Sequence, residues 1–162
     1  MAVASSKKAV VTLPVDNQIR ITREFDAPRD LVFKAATTPD LIKRWWGGER
    51  GVVTLAEVDL RVGGRWRFVM RANGGFEVAF HGEYHEVVPA ERTVSTECYE
   101  GAPDAGCARV TATYTEYEGR TTLTTLSEYP SREVRDMVIA SGMEGGMQES
   151  MDKLEQVAQS LR

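Results

Sequence analysis

The sequence predicts an α+β protein in which an antiparallel sheet packs against a long C-terminal helix. From Val52 to Tyr129, short candidate strands alternate with turn residues, and the gaps are too short for the crossovers that parallel strands need. From Ser131 to Leu161, apolar residues recur at three- and four-residue spacing, which is typical of a helix with one buried face. A length of 162 residues fits one domain.

The start of the chain is expected to lie outside the main domain. An Ala-, Ser- and Lys-rich stretch leads into a short apolar patch that ends at Pro14, so residues 1–17 are either a frayed tail or an added edge strand. The single domain is expected to span residues 18–162. Its first element is a strand at residues 18–25, where Ile19 and Ile21 alternate with polar residues.

Two short helices are predicted after this strand. Pro28 suits the first turn of the first helix, because its missing N–H costs nothing there. Residues 38–40 start a second helix that carries Trp45 and Trp46 and ends at the glycine pair 47–48. On a helix these adjacent tryptophans point about 100° apart. One is therefore expected in the core, and the other either packs or lines a pocket mouth.

The sheet is expected to contain six to seven strands. Beyond the first, candidate strands lie at residues 52–61, 65–72, 76–88, 92–100, 107–117 and 120–128. In the strand at 65–72, Trp66, Phe68 and Met70 fall on one side and three arginines on the other. One face of the sheet is therefore expected to pack against the core and the other to be exposed to solvent.

The C-terminal helix is expected to begin at the N-cap Ser131 and to be interrupted by glycines. Gly142, Gly145 and Gly146 each cost a helix up to about 1 kcal/mol relative to alanine. They predict a kink, a close backbone approach, or space left beside the helix.

Composition excludes several classes of function. The net charge is −4 and the basic residues are scattered, whereas a nucleic-acid binder needs a basic surface. No apolar run reaches the ~18 residues of a membrane span, and the N-terminus has no apolar stretch of signal-peptide length. We therefore expect a cytoplasmic protein with no nucleic-acid partner, no membrane insertion and no cofactor.

The two cysteines and two histidines are weak signals. Cys98 and Cys107 flank residues 99–106 and would face each other within disulfide reach across a hairpin, but in a reducing cytoplasm they are expected to stay thiols. His81 and His85 on one strand would lie about 13 Å apart, too far to share an ion. No metal site is expected, and both histidines are expected on the solvent face.

Several ordered motifs resemble a known family. The matching segments are Arg23-Glu24-Phe25-Asp26-Ala27-Pro28, Thr38-Pro39-Asp40-Leu41, Trp45-Trp46-Gly47, Asp59-Leu60-Arg61-Val62-Gly63-Gly64-Arg65-Trp66, His81-Gly82-Glu83-Tyr84, Val88-Pro89, Tyr129-Pro130-Ser131, and Ser141-Gly142-Met143-Glu144 onward to Leu154. The chain resembles proteins named for homology to the activator of the ninety-kilodalton heat-shock chaperone's ATPase, within the START-like, or SRPBCC, helix-grip superfamily. The resemblance implies a curved sheet that grips the last helix around an apolar pocket. Met147, where relatives often carry a large aromatic, and Gly145 depart from the family pattern in ways that would enlarge or soften such a pocket.

The candidate ligand-binding residues are those expected between sheet and helix: Trp45, Trp46, Trp66, Phe68, Phe80, Tyr84, Tyr114, Met143, Glu144 and Met147. Apolar pockets with few polar anchors are typical ligand sites; the alternative is that these side chains only fill the core. Asp59, Glu97 and Glu144 are possible pocket carboxylates. A buried Glu144 would have a raised pKa and act on a ligand; otherwise it is a solvated helix residue.

Three functions compete. The first is a non-catalytic protein that binds a small apolar or amphipathic molecule. The second is a chaperone partner, ranked lower because the eukaryotic activator carries a separate N-terminal domain that a chain of this length lacks. The third is a cyclase- or hydrolase-like enzyme that uses Glu144, Tyr84 or an arginine, for which no catalytic residue set is evident. A homodimer, through aromatics near Trp45 or the N-terminal patch, is also left open.

Overall fold

The computed structural model describes residues 8–162. Its strands are β1 (Val10–Thr12), β2 (Gln18–Phe25), β3 (Gly51–Val58), β4 (Arg65–Ala72), β5 (Glu77–Val88), β6 (Arg92–Tyr99), β7 (Cys107–Tyr117) and β8 (Arg120–Glu128). Its helices are α1 (Arg29–Thr37), α2 (Pro39–Ile42), α3 (Arg132–Ala140) and α4 (Met143–Ser160). The α+β prediction is confirmed, with eight strands where six to seven were expected.

All eight strands form one antiparallel sheet in the order β1-β2-β8-β7-β6-β5-β4-β3. The strand β1 pairs with β2, with Val10 opposite Thr22. The edge-strand alternative is therefore correct for residues 10–12, while residues 1–7 of the predicted tail lie outside the described part of the chain. The hairpin turns explain the order, because each strand from β3 to β8 lies beside the next.

The helices α1 and α2 carry the chain from β2, near one edge of the sheet, to β3 at the other edge. The main core lies where α1 and α4 cover one face of the sheet, which we call the inner face. Phe33 of α1 meets Tyr114 of β7 edge-on, with ring centroids 5.3 Å apart, and Leu154 of α4 packs into the same cluster. None of the helices within residues 8–162 is long and apolar enough to cross a lipid bilayer.

The kink predicted for the glycine-interrupted C-terminal helix is a complete break, which divides it into two helices. Ser131 caps α3 as predicted, since its side chain accepts a hydrogen bond from the Val134 N–H at 3.2 Å. The helix ends at Ala140, and Gly142 takes a left-handed backbone conformation at φ +81° before α4 starts. Such a conformation is unfavourable for residues with a Cβ atom, so this glycine allows the change of direction.

The other two helix glycines lie under an arginine rather than beside empty space. A Cβ atom added to Gly145 would lie 2.7 Å from Nη2 of Arg50, and one added to Gly146 would lie 3.9 Å from its Cγ. Arg50 passes over this turn of α4 to pair with Glu149 at 3.1 Å. The expectation that Gly145 enlarges a cavity is therefore wrong, because the freed volume is occupied by the Arg50 side chain.

The predicted second helix is also shorter than expected. The helix α2 ends at Ile42, and residues 43–49 continue as hydrogen-bonded turns. Trp45 and Trp46 therefore lie in a turn, and both are half-buried. The indole N–H of Trp45 donates to the Ala35 carbonyl at 2.9 Å, which fixes this turn against α1.

Candidate functional site

A cavity of about 630 Å³ lies between the inner face of the sheet and the α3–α4 break. It occupies the end of the sheet that α1 and α4 leave uncovered. Its walls are formed by Ile19, Ile21, Val78, Phe80, Glu97, Tyr99, Ala102, Ala105, Gly106, Ala108, Val110, Thr125, Ser127, Tyr129, Val134, Met137, Val138, Ser141 and Met143. Most of these side chains are apolar, which is typical of sites for small molecules.

Strand alternation explains how the sheet builds its part of this wall. In the register of β6 with β7, Glu97 lies opposite Ala108, and in that of β7 with β8, Val110 lies opposite Ser127. Alternate residues point to opposite faces of a sheet, so these four share the inner face. Small side chains at Ala108 and Ser127 leave the space unfilled.

The rim of the cavity is formed by the β6–β7 loop and by α3. Tyr99, just before the loop, is 43% exposed, and Met137 of α3 is 59% exposed. The loop contains one turn of 3-10 helix over Pro103–Ala105. Large apolar side chains that are both exposed and part of the lining indicate that the cavity opens to solvent here.

A disulfide closes the base of the rim loop. Cys98 and Cys107 lie directly opposite each other on β6 and β7, and their sulfur atoms are bonded. Their Cα atoms are 4.3 Å apart, the short separation of a directly facing pair whose side chains approach closely. The prediction that the two cysteines face each other across a hairpin is confirmed, whereas the expectation that they stay thiols is not what the structure has.

Glu97 brings a carboxylate into the apolar wall. It receives no hydrogen bond and no ion pair from residues 8–162. Burial among apolar neighbours raises the pKa of this carboxyl above its ordinary value, because the charged form is poorly solvated there. The possibility that Glu97 is a pocket carboxylate is confirmed by its position in the wall.

Tyr129 adds a phenol to the same wall. Burial, and to a smaller extent the charge of Glu97, raises the pKa of Tyr129 to about 12, while a hydrogen bond with the Ser127 side chain acts in the opposite direction. The phenol therefore remains protonated at neutral pH. An acid–base role in this cavity would fall to Glu97 and Tyr129, since Glu144 and Tyr84 lie outside the lining.

Two of the ten predicted ligand-binding residues, Phe80 and Met143, line the cavity. Phe80 continues into a row of aromatic side chains on the inner face: its ring centroid lies 5.1 Å from Tyr99 and 5.9 Å from Trp46. The ring of Trp46 in turn lies 5.5 Å from that of Phe68. Trp46 and Phe68 therefore pack next to the cavity wall, on the side of Phe80 away from Tyr99.

The other predicted residues lie away from the lining. Trp66 and Tyr114 are buried, and the indole N–H of Trp66 donates to the Thr96 carbonyl at 3.2 Å. Tyr84 is 8% exposed, and burial raises its pKa to about 12. These side chains pack on the part of the inner face that lies away from the cavity.

The remaining predictions concern Trp45 and the start of α4. Trp45 packs against the main core. Glu144 is exposed in the first turn of α4, and Met147 is half-buried outside the cavity wall. The solvated alternative is therefore correct for Glu144. The site predicted around Glu144 and Met147 lies too far along the chain, because the helix breaks at Gly142 and α3 forms this wall of the cavity.

The predicted solvent-face histidines are exposed, and His81 belongs to a charged cluster on the outer face. Arg67 donates two hydrogen bonds to the Glu100 carboxylate, both at 2.9 Å, and His81 Nδ1 lies 2.9 Å from the same group. These contacts, above all the hydrogen bond from Arg67, lower the pKa of Glu100 to about 2. Within residues 8–162, no group of three or more His, Cys, Asp and Glu side chains is placed to hold a metal ion.

The sequence contains patterns that include other wall residues, although these residues were not predicted to bind a ligand. Val134, Met137 and Val138 belong to the apolar stripe that was expected to face the sheet, and Tyr129 lies in a family motif. What the sequence did not reveal is that α3, rather than α4, covers this end of the sheet.

Comparison with known proteins agrees with this architecture. A family model described as "Activator of Hsp90 ATPase homolog 1-like protein" matches residues 26–159. No curated protein matches the chain by sequence.

Similar solved structures cover nearly the whole chain. A protein from Rhodobacter sphaeroides superposes with a TM-score of 0.87 at 25% identity, over 94% of this chain and 99% of its own. A protein from Chromobacterium violaceum has a TM-score of 0.78 at 28% identity, over 89% and 98%. An AHSA1-like protein from Aeromonas hydrophila, at 21% identity, has a TM-score of 0.65 over 88% and 93% and shares the fold.

Proposed function

The chain belongs to the family of activator of Hsp90 ATPase homolog 1-like proteins, and on that premise we propose that it is a non-catalytic binding protein. Its cavity holds a small apolar or amphipathic molecule between the sheet and α3. The observation that carries the proposal is the cavity itself: about 630 Å³ of largely apolar space with few polar groups. Ligand pockets typically measure about 300–1,000 Å³ and have this composition.

The rim supports reversible entry of a ligand. The cavity opens between Tyr99 and Met137, both exposed, and is bordered by the helix break at Ser141. A glycine-centred break is a place where a backbone can change direction with little strain. The exposed apolar side chains at the mouth offer an amphipathic molecule a surface that it can contact before it enters the cavity.

The test compares two substitutions at neighbouring positions of α3. Val138→Trp places a large ring in the cavity wall, whereas Ile139→Trp places the same ring on an exposed position outside the lining. Binding of the neutral fluorescent dye N-phenyl-1-naphthylamine is expected to fall at least about tenfold in Val138→Trp and to be retained in Ile139→Trp, because only the first removes cavity volume.

Native mass spectrometry of the protein isolated from its host gives an independent result. A bound small molecule of reproducible mass is expected in the wild type and is expected to be lost in Val138→Trp. If the wild type binds neither the dye nor any molecule from its host, the proposed function is wrong.

A role as a chaperone partner is a second candidate, and the description of the matching family favours it. A pull-down with the host's ninety-kilodalton chaperone, followed by an ATPase assay, would test it, and lack of both binding and stimulation would exclude it. Both roles are proposed for the cytoplasm, although the Cys98–Cys107 bond is more usual in an oxidising compartment.

A further inference from the structure

Glu97 is the one charged side chain among the cavity-lining residues within the described part of the chain. The basic side chain of Arg109 lies away from the cavity. Although Arg109 stands between the wall residues Ala108 and Val110, it is exposed on the outer face. A bound molecule therefore meets a single acidic group in an otherwise neutral wall.

The Glu97 side chain is half-buried in the cavity wall, and its carboxylate has no partner among the described residues to stabilise the charge. No side chain or backbone N–H of residues 8–162 donates to it. A buried charge is costly unless it is paired and hydrogen-bonded. A neutral apolar ligand would leave the group unpaired, and an anionic ligand would add a like charge, whereas a cationic group would supply both a hydrogen-bond donor and the opposite charge.

The side chains that border the cavity beside Glu97 also suit a cation. Tyr129 is close enough for the Glu97 charge to raise its pKa, and Phe80 and Tyr99 form a contacting aromatic pair in the same wall. Aromatic rings attract cations through their faces. The wall thus combines one carboxylate with three aromatic rings, and the apolar remainder accepts a hydrocarbon chain.

We propose that the cavity selects amphipathic amines, in which an apolar chain fills the space between the sheet and α3 and a protonated amino group pairs with Glu97. The inference rests on the proposed binding function and specifies its ligand class. The net charge of −4 acts in the same direction, since it favours approach of cations over anions.

The experiment uses three molecules with the same ten-carbon chain: decylamine, decan-1-ol and decanoate. Each displaces N-phenyl-1-naphthylamine from the wild-type protein and from Glu97→Gln near neutral pH. Decylamine is expected to bind the wild type about tenfold to a hundredfold more tightly than decan-1-ol, the range that a charge-assisted hydrogen bond supplies. In Glu97→Gln this preference is expected to disappear while decan-1-ol binding is retained.

A second measurement needs no variant and guards against a misfolded Glu97→Gln. A pH titration of the Glu97 carboxyl ¹³C resonance in the wild type is expected to give a lower pKa with decylamine than without it, and an unchanged pKa with decan-1-ol. If decan-1-ol or decanoate binds as tightly as decylamine while the dye still binds, the cationic specificity is wrong and the cavity function stands. If nothing displaces the dye because the dye itself does not bind, the binding function fails first.

Discussion

Nη2 of Arg23 lies 2.8 Å from Oδ1 of Asp152, so a buried cation of β2 is paired with a carboxylate of α4. The same guanidinium lies 3.6 Å from Glu155 and 4.9 Å from the centre of the Phe25 ring. Arg23 is 1% exposed. This group joins the sheet to the C-terminal helix, and α4 in turn holds the N-terminal segment, since Gln148 makes two hydrogen bonds to the backbone of Ala9 at 2.8 and 3.0 Å.

Replacing Arg23 with Ala is expected to lower the free energy of unfolding by about 3–5 kcal/mol, because it leaves carboxylates of α4 without their buried partner. The matched control is Asp152→Asn. Its side chain is 57% exposed, so the expected loss is about 1 kcal/mol or less. Urea unfolding measures both. Equal effects of the two substitutions would show that burial does not govern this pair.

Removing the disulfide by Cys98→Ala together with Cys107→Ala is expected to lower the free energy of unfolding by about 2–3 kcal/mol, the chain-entropy value for a short closed loop. Adding dithiothreitol to the wild type should have a similar effect, and the double variant should be insensitive to it. Because the loop forms the cavity rim, dye binding is also expected to weaken on reduction. A reductant-insensitive wild type would contradict the prediction.

The raised pKa of Glu97 predicts how stability changes with pH. Between the unfolded value of 4.5 and the higher folded value, the folded state holds a proton that the unfolded state has released. The contribution of Glu97 to stability is therefore lost as pH rises through this window. Glu97→Gln is expected to remove that loss, which chemical denaturation at a series of pH values would show. Parallel curves for the two proteins would refute the assignment.

The lowered pKa of Glu100 predicts a change of stability with pH that is opposite in sign to the one expected from Glu97. Its carboxyl is expected to titrate near pH 2 rather than at 4.5, so the stability it contributes is present above about 4.5 and is lost as pH falls toward 2. Arg67→Gln removes the largest cause of the shift, and NMR titration should then find the Glu100 pKa closer to 4.5. A pKa that does not change in this variant would indicate that Arg67 is not the cause.

Two glycine substitutions should act with opposite sign. Gly142→Ala is expected to cost about 1–2 kcal/mol, because its left-handed backbone disfavours a Cβ atom. Gly145→Ala is expected to gain up to about 1 kcal/mol of helix propensity, since the atom in its way is the end of the flexible Arg50 side chain. Thermal unfolding of both variants gives the comparison, and a loss of stability in Gly145→Ala would mean that the Arg50 position is tightly held.

Local patterns predicted the elements well. The strands at 65–72, 107–117 and 120–128 have the observed bounds, because alternation and turn glycines are properties of neighbouring residues. The Ser131 cap was predicted for the same reason. The second short helix was predicted too long, since the residues after Ile42 form turns that depend on packing against α1.

The sequence predicted the type of candidate site but not its position in the fold. An apolar pocket beside the C-terminal helix, with Phe80, Met143 and a carboxylate at Glu97, follows from residues that sequence reasoning had singled out. The other eight predicted residues lie on the inner face, in the turn after α2 or on α4, and do not line the cavity. Periodicity assigns a residue to a face, but it does not say which part of that face another element will cover.

The sequence alone therefore determined an antiparallel sheet with one apolar face and an apolar C-terminal helical stripe, because both depend on spacing along the chain. Tertiary structure decided that Gly142 is the glycine at which the helix breaks, that Arg50 fills the space over Gly145, and that Cys98 and Cys107 are bonded. It also decided that α3 leaves a cavity beside Glu97. These features depend on how the strands and helices pair and pack, which the spacing of residues along the chain does not specify.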